Sequence, residues 1–178
     1  QFVGKAVSDE AALIEQKTGA PVTEAWLASF RARRNTALES HLTAIPHVAD
    51  AVHRIHAGHS GRIACASGAD RFKVEMMLAK LGLLSYFEQR IFSGHEMPRS
   101  KPHPDVYLAA AAALAVPAAR CAVVEDTLTG VLAGVAAGAT VFAYLPPSTR
   151  HVDGASLRQA GAQQLFEDMA QLPALLGL

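Results

Sequence analysis

After Pro46 the chain alternates short apolar runs with segments of helical periodicity, and this alternation strongly limits the folds that it can adopt. The apolar runs cover residues 62–66, 90–93, 121–124, 140–144 and 164–166. The helical segments around them cover residues 48–56, 70–81, 105–115, 127–137 and 169–176. Apolar strands separated by helices of about a dozen residues are typical of a parallel sheet with helices on both faces. We therefore predict an α/β fold.

Before Pro46 the sequence signal is helical only. Ser8 and Thr23 each precede an apolar pattern of helical spacing, which predicts the starts of two helices. The change at Pro46 predicts two domains, a small helical one over residues 1–45 and an α/β one over residues 46–178.

The composition argues against several classes of protein. Sixteen basic residues balance sixteen acidic residues among 178, so we predict neither nucleic-acid binding nor attachment to an acidic membrane surface. No uncharged apolar run approaches the roughly 20 residues that cross a bilayer, and the first residues do not resemble a secretory signal. Cys65 and Cys121 lie in apolar runs, which predicts reduced core thiols and a cytoplasmic protein. No protein partner is evident from the sequence.

Ligands of parallel sheets bind at the carboxyl ends of the strands, so the residues that follow each strand are the first candidates for a site. The first such element is Ser67-Gly68-Ala69-Asp70, at the start of a helix. Its small residues let backbone N–H groups approach an anion, which predicts a phosphate pocket. The alternative is an ordinary helix start with Asp70 as the N-cap.

The second element is the loop that contains Lys101. Pro102 and Pro104 restrict the backbone around this lysine and so fix the direction of its side chain. A fixed ammonium group suits a phosphoryl oxygen or a carboxylate. The alternative is a solvated loop lysine.

The third element is the pair Glu125-Asp126, which follows the apolar run 121–124. Two adjacent carboxylates after a buried strand are costly unless a positive charge is near, and Mg²⁺ prefers such oxygen ligands. In the alternative interpretation, Asp126 caps the following helix and Glu125 faces solvent.

The order and spacing of these elements resemble the haloacid dehalogenase-like hydrolases. The matching pieces are the strand that ends in Ser67, the K-P-x-P-D-x-Y run from Lys101, and Glu125-Asp126 followed by Thr127 and Gly130. The resemblance covers essentially the whole chain. It is strongest to the helical-cap subfamily that contains β-phosphoglucomutase and sugar-phosphate phosphatases.

This resemblance implies a Rossmann-like core with a small α-helical cap, and it implies a role for each element. Ser67 would hydrogen-bond the phosphoryl oxygens, and Lys101 would balance the charge of nucleophile and phosphate. Asp126 and Glu125 would be the magnesium-binding residues, with Asp126 the better candidate for a direct ligand. In the phosphate pocket, Gly68 and Ala69 would offer backbone N–H groups to the substrate. Two cap residues, Lys5 and Arg34, would reach the non-reacting end of a phosphorylated sugar or sugar acid.

The sequence departs from the family in one place, because no apolar strand followed by D-x-D occurs in it. In the family the first aspartate of that motif attacks phosphorus and the second is the general acid and base. We expect this strand to belong to residues that precede Gln1. The predicted function is a magnesium-dependent phosphatase of a small phosphorylated metabolite. The alternatives are a phosphomutase and, if the motif is truly lost, a non-catalytic phosphometabolite-binding protein. A magnesium-independent dehalogenase is disfavoured by Glu125-Asp126.

Overall fold

The computed structural model describes residues 11–149 and 151–178. The α-helices are α1 (Ala11–Thr18), α2 (Glu24–His41), α3 (Val48–Gly58), α4 (Arg71–Lys80), α5 (Leu84–Phe87), α6 (Asp105–Ala113), α7 (Leu128–Ala136), α8 (Gly154–Gln159) and α9 (Leu172–Leu175). The strands are β1 (Cys65–Ser67), β2 (Ile91–Ser93), β3 (Ala122–Glu125), β4 (Thr140–Tyr144) and β5 (Gln164–Phe166). Short 3₁₀ helices cover Gly94–Glu96, Ala118–Arg120 and Met169–Gln171.

All strand pairs among the described residues are parallel, but they form two sheets. Strand β1 pairs with β2 from the Cys65–Ile91 pair to the Ser67–Ser93 pair. Strand β4 lies between β3 and β5 in the second sheet. The sequence predicts an α/β fold with a parallel sheet, and the fold class is confirmed. The structure differs from the prediction in one respect, because the strands form a two-stranded and a three-stranded sheet instead of one continuous sheet.

Among the described residues, β1 and β3 each have one side that pairs with no other strand. The Cys65 N–H donates to the Arg90 carbonyl oxygen at 2.9 Å, so the backbone groups of Cys65 point toward β2 and those of Ala66 point away from it. The Thr140 N–H donates to the Cys121 carbonyl oxygen at 3.1 Å, so the backbone groups of Ala122 and Val124 point away from β4. Within residues 11–149 and 151–178, β1 and β3 are therefore edge strands with one side that pairs with no other strand.

Helices cover both faces of the three-stranded sheet because the side chains of β4 alternate between two apolar clusters. Val141 and Ala143 pack with buried residues of α6, α7 and α8, including the fully buried Val131. Phe142 and Tyr144 point to the opposite face and pack with Ala51 of α3 and with the end of the chain. This period of two is the pattern expected of a strand between two helical layers.

Two helix starts follow the predicted capping chemistry. The carboxylate of Asp70 accepts a hydrogen bond from the Lys73 N–H at 3.0 Å and so caps α4. Thr23 caps α2 in the same way through the Trp26 N–H at 3.2 Å. The predicted start of the first helix at Ser8 lies outside the described residues.

Two predicted elements differ in extent from the structure. The run 62–66 predicts a strand, but β1 covers Cys65–Ser67, because its partner β2 offers only three residues for pairing. The predicted closing helix over 169–176 is a 3₁₀ helix, Met169–Gln171, followed by α9. Pro173 in this segment donates no backbone hydrogen bond.

Helix α2 lies against α4, and residues 42–47 connect it to α3. The boundary at residue 45 stays a prediction. Cys65 and Cys121 are both free cysteines. Among the helices of the described residues, none combines the length and apolar character needed to cross a membrane.

Candidate active site

The Lys101 ammonium group joins the two sheets at the carboxyl ends of β1 and β3. It donates to the Ala66 carbonyl oxygen at 3.3 Å, on the open edge of β1. It also forms an ion pair with the carboxylate of Glu125, the last residue of β3. The side chains of Lys101 and Glu125 are 5% and 8% exposed. The structure therefore places Lys101 between the Ser67 and the Glu125 elements, and the expectation of a solvated loop lysine is wrong.

Glu125 is the most completely bonded carboxylate of the site. Its Oε1 accepts hydrogen bonds from Lys101 and from the Tyr107 hydroxyl. Its Oε2 accepts from the Thr127 hydroxyl at 3.0 Å and from the backbone N–H groups of Asp126 and Thr127 at 3.2 and 3.4 Å. The alternative in which Glu125 faces solvent is wrong, because these donors satisfy the charge inside the protein.

The ionisation of this cluster follows from its contacts. Burial opposes the charge of Glu125, but Lys101 and the hydrogen-bond donors outweigh it and lower the pKa of this carboxyl group. Burial and the Glu125 charge raise the pKa of the Tyr107 hydroxyl. The Lys101 ammonium lies 2.8 Å from that hydroxyl and 4.6 Å from the centre of the tyrosine ring. The cluster thus holds an ammonium, a carboxylate and a neutral phenol.

Thr127, not Asp126, caps α7. Its hydroxyl oxygen accepts from the Gly130 N–H at 3.1 Å while the same hydroxyl donates to Glu125. The alternative that gave the cap to Asp126 is therefore wrong. The Asp126 carboxylate, which follows β3, does not cap this helix.

The Asp126 carboxyl group lies in an environment that disfavours its charge. Its pKa is raised by shielding from water and then by the Glu125 carboxylate. A cation beside Asp126 would offset both effects, so this residue fits a magnesium ligand. Among the described residues no three His, Cys, Asp or Glu side chains are arranged to hold a metal. Mg²⁺ is commonly bound through one or two carboxylates, water and substrate phosphate, so a magnesium site does not require three such side chains.

A cavity of about 450 Å³ opens beside Asp126. It is lined by the ends of the three neighbouring strands and by the segment before α3, with Tyr144, Asp168, Ile45 and Pro46 among the lining residues. This volume falls within the range of about 300–1,000 Å³ for small-molecule sites. Its carboxylates would repel an anionic ligand unless a cation were bound with it.

The loop after β1 is fixed by two serines. The Ala69 N–H donates to Ser67 Oγ at 3.1 Å. The fully buried Ser93, at the end of β2, donates its hydroxyl to the Ala69 carbonyl oxygen at 2.7 Å. Gly94 packs closely against this loop, since a Cβ on Gly94 would lie 3.4 Å from Gly68 Cα. These contacts hold the predicted phosphate loop in one conformation.

Two residues of the predicted cap domain, Lys5 and Arg34, were expected to contact the substrate. Lys5 lies outside the described residues. Arg34 lies on α2 with its Nη1 atom 3.0 Å from Asp70 Oδ2, at the end of the Ser67 loop. Arg71, another basic residue near this loop, pairs with Glu96 through two hydrogen bonds of 2.6 and 2.7 Å. The role of Arg34 in substrate binding stays a prediction.

Sequence reasoning missed Tyr107 and Ser93 as parts of the site. Tyr107 is the last residue of the K-P-x-P-D-x-Y run, so its place in the motif was a usable signal. Ser93 ends a short strand like Ser67 does, but its partner, the Ala69 carbonyl oxygen, is 24 residues away in sequence. Only the pairing of β1 with β2 brings them together.

Comparison with known proteins gives a consistent result. Residues 1–138 match the family model of the haloacid dehalogenase-like hydrolases. The protein SUPPRESSOR OF QUENCHING 1 of Arabidopsis thaliana is 36% identical over 111 residues, which are 62% of this chain and 10% of that protein. The 6-phosphogluconate phosphatase of Escherichia coli is 36% identical over 72 residues, which are 40% of this chain and 33% of that enzyme. The chain thus spans a third or less of the length of these two relatives.

A solved structure agrees over nearly the whole chain. A hydrolase of this family from Deinococcus radiodurans, crystallised with bound phosphate and sodium, is 31% identical and superposes with a TM-score of 0.75. The match covers 99% of this chain and 77% of that one.

Proposed function

This chain belongs to the haloacid dehalogenase-like hydrolases, and on that basis we propose that the protein is a magnesium-dependent phosphatase of a small phosphorylated metabolite. The substrate would be a sugar phosphate or a sugar-acid phosphate. The observation that supports this proposal is the convergence of Lys101, Glu125, Asp126 and the Ser67 loop at the carboxyl ends of β1 and β3.

Phosphoryl transfer requires positioning and charge neutralisation more than covalent work by the protein. Ser67 and the backbone N–H groups of Gly68 and Ala69 would hold the phosphoryl oxygens at the start of α4. All three hydrogens of the Lys101 ammonium have acceptors, namely Ala66, Tyr107 and Glu125. Lys101 would therefore act on the phosphoryl group mainly through its charge, and Glu125 would hold it in place.

Asp126 would hold the magnesium ion, and Glu125 would be an anchor for Lys101 rather than a direct ligand. When bound, the ion would neutralise the charge of the phosphoryl group. The raised pKa of Asp126 and the acidic lining of the cavity beside it support this assignment.

The nucleophile would come from a strand outside residues 1–178. We infer that this strand lies between β1 and β3, because Lys101 contacts both strands and each of them could pair with one parallel strand. Its carboxyl end would then lie beside Lys101, which neutralises an added carboxylate. Residues 1–45 would form the cap that closes over the substrate and excludes water.

The substrate class is suggested by the 6-phosphogluconate phosphatase of Escherichia coli, a relative named for a sugar-acid phosphate. A phosphomutase is the second candidate, because the resemblance includes β-phosphoglucomutase. A non-catalytic phosphometabolite-binding protein is the third, and it would lack the Asp-x-Asp strand.

The test is phosphate release from 6-phosphogluconate and β-glucose 1-phosphate by the natural full-length protein, with and without Mg²⁺. We expect magnesium-dependent turnover that Ser67→Ala lowers and Lys101→Met nearly abolishes. Isomerisation of β-glucose 1-phosphate without phosphate release would favour the mutase. Binding of 6-phosphogluconate without turnover, by a full-length protein that lacks Asp-x-Asp, would favour the binding protein.

A further inference from the structure

Arg34 is the one arginine of its cluster on α2 that is shielded by the rest of the protein. Its side chain is 19% exposed, whereas Arg31 and Arg33 on the same helix are exposed. The guanidinium Nη1 lies 3.0 Å from Asp70 Oδ2, and Nε and Nη2 donate to Asn35 Oδ1 at 3.0 and 2.9 Å. The side chain is therefore held along two edges of its planar guanidinium group.

Asp70 uses its two carboxylate oxygens for two different elements. Oδ1 accepts from the Lys73 N–H and caps α4, while Oδ2 pairs with Arg34 of α2. Burial opposes the charge of Asp70, but the Lys73 N–H and the Arg34 guanidinium outweigh it and lower the pKa of this carboxyl group. Asp70 is therefore an anion at neutral pH.

That anion directly follows Ala69, whose N–H group belongs to the loop of the proposed phosphate site. A negative charge there would repel a phosphoryl group, and a phosphoryl group carries up to two negative charges. Pairing with Arg34 cancels the charge of Asp70 without disturbing its second role as the cap of α4. The contribution of Arg34 to reducing this repulsion is therefore present only while α2 lies on α4.

We propose that Arg34 is a positioning residue that raises phosphate affinity through Asp70, by neutralising its carboxylate, rather than by touching the substrate. This inference rests on the proposed phosphate site. It couples the docking of the predicted cap helix to phosphate binding, and such coupling acts equally in both directions. Phosphate in the loop would favour α2 in the docked position.

A double-mutant cycle separates this role from direct contact. Asn caps a helix as well as Asp does, so Asp70→Asn removes the charge and keeps the cap of α4. Arg34→Gln leaves Asp70 unneutralised and should weaken the binding of inorganic phosphate by about fivefold or more. Asp70→Asn alone should leave phosphate affinity within about twofold of wild type, because it removes the carboxylate whose repulsion Arg34 offsets. The double variant should regain nearly all of the affinity that Arg34→Gln loses.

The measurement is a titration of the natural full-length protein with inorganic phosphate, followed by NMR at the Gly68 and Ala69 amides at constant ionic strength. Arg33→Gln removes the same charge from the exposed side of the same helix and should change nothing beyond about twofold. Arg34→Lys keeps the positive charge and should retain more affinity than Arg34→Gln. Circular dichroism and thermal melting of each variant show whether it is folded.

Three outcomes would overturn the inference. A double variant as weak as Arg34→Gln alone would mean that Arg34 contacts the anion itself. Unchanged affinity in Arg34→Gln would mean that the pair has no part in binding. Wild type that shows no phosphate-dependent shift at these amides would overturn both this inference and the proposed phosphate site, whereas the first two outcomes leave that site intact.

Discussion

The Glu125 carboxylate occupies the space in which a side chain at position 130 would begin. A Cβ built on Gly130 would overlap with Glu125 Cδ and with both of its carboxylate oxygens. Real Cβ atoms do not come this close to other atoms, so glycine is required here by the buried ion pair rather than by backbone conformation. The five-residue spacing between Glu125 and Gly130 in the sequence thus corresponds to a direct contact between these two positions in the fold.

Gly130→Ala should destabilise the chain by about 1–3 kcal/mol, the usual cost of overpacking a filled site. In an unobstructed helix the same change would stabilise by roughly 0.5–1 kcal/mol. Urea denaturation of Gly130→Ala, Glu125→Ala and the double variant measures the coupling. If Gly130→Ala is equally destabilising in the Glu125→Ala background, the carboxylate is not the cause.

Lys101→Met should cost about 3–5 kcal/mol of the free energy of unfolding at pH 7, because it leaves Glu125 charged, buried and without its cation. Lys101→Met with Glu125→Gln should recover a large part of that loss. Urea midpoints at constant ionic strength measure both. A double variant no more stable than Lys101→Met would show that packing of the lysine side chain, not charge, is what is lost.

The same ion pair gives a pH dependence with a definite sign. The pKa of Glu125 is lowered in the folded chain, so its contribution to stability is present above the ordinary glutamate pKa of about 4.3 and is lost as the pH falls below it. Lys101→Met should reverse this, because an unpaired buried Glu125 favours its protonated form. Thermal midpoints of the two proteins should therefore converge between pH 7 and pH 3.5. Parallel pH profiles would contradict this account.

Asp126→Asn should melt at a higher temperature than wild type at pH 7 without metal. The pKa of Asp126 is raised, so its ionisation costs stability above the ordinary aspartate pKa of about 3.9. Mg²⁺ at ten times its Kd should raise the wild-type midpoint by about 3–6 °C and should leave Asp126→Asn unchanged. Glu167→Gln, at another carboxylate of the same cavity, is the control and should keep most of the shift. An equal shift in Asp126→Asn would place the ion elsewhere.

Cys65 should resist alkylation in the folded protein. Burial raises the pKa of its thiol to about 11, so only about one thiol in a thousand is ionised at pH 8. Cys121, whose pKa is also raised by burial, lies just before β3 in a more open environment and should react at least ten times faster. Iodoacetamide labelling followed by peptide mass spectrometry measures both rates. Similar rates in the native protein, with similar rates in urea, would contradict the environment described for Cys65.

Sequence reasoning located the site elements because each lies where a periodic pattern ends. The cap at Asp70, the apolar run before Glu125 and the prolines around Lys101 are local features, and the structure keeps all of them. What the sequence did not predict depends on contacts between distant segments. The pairing of Arg34 with Asp70 and the bond from Ser93 to Ala69 need α2 against α4 and β1 beside β2.

The choice between Asp126 and Thr127 as the cap of α7 shows why local patterns alone are insufficient. Both side chains are good N-caps, and a one-residue shift decides which one is used. The network around Glu125 decides it, since the Thr127 hydroxyl must also reach that carboxylate.

The open edges of β1 and β3 also affect how this polypeptide would behave at high concentration. Unpaired strand edges are templates on which other molecules add strands, the usual route to aggregation. Here Lys101 contacts both edge strands, so a single strand from a second molecule could pair with both. Solubility should therefore be the first property to improve when a matching strand, even a short synthetic peptide, is supplied in solution.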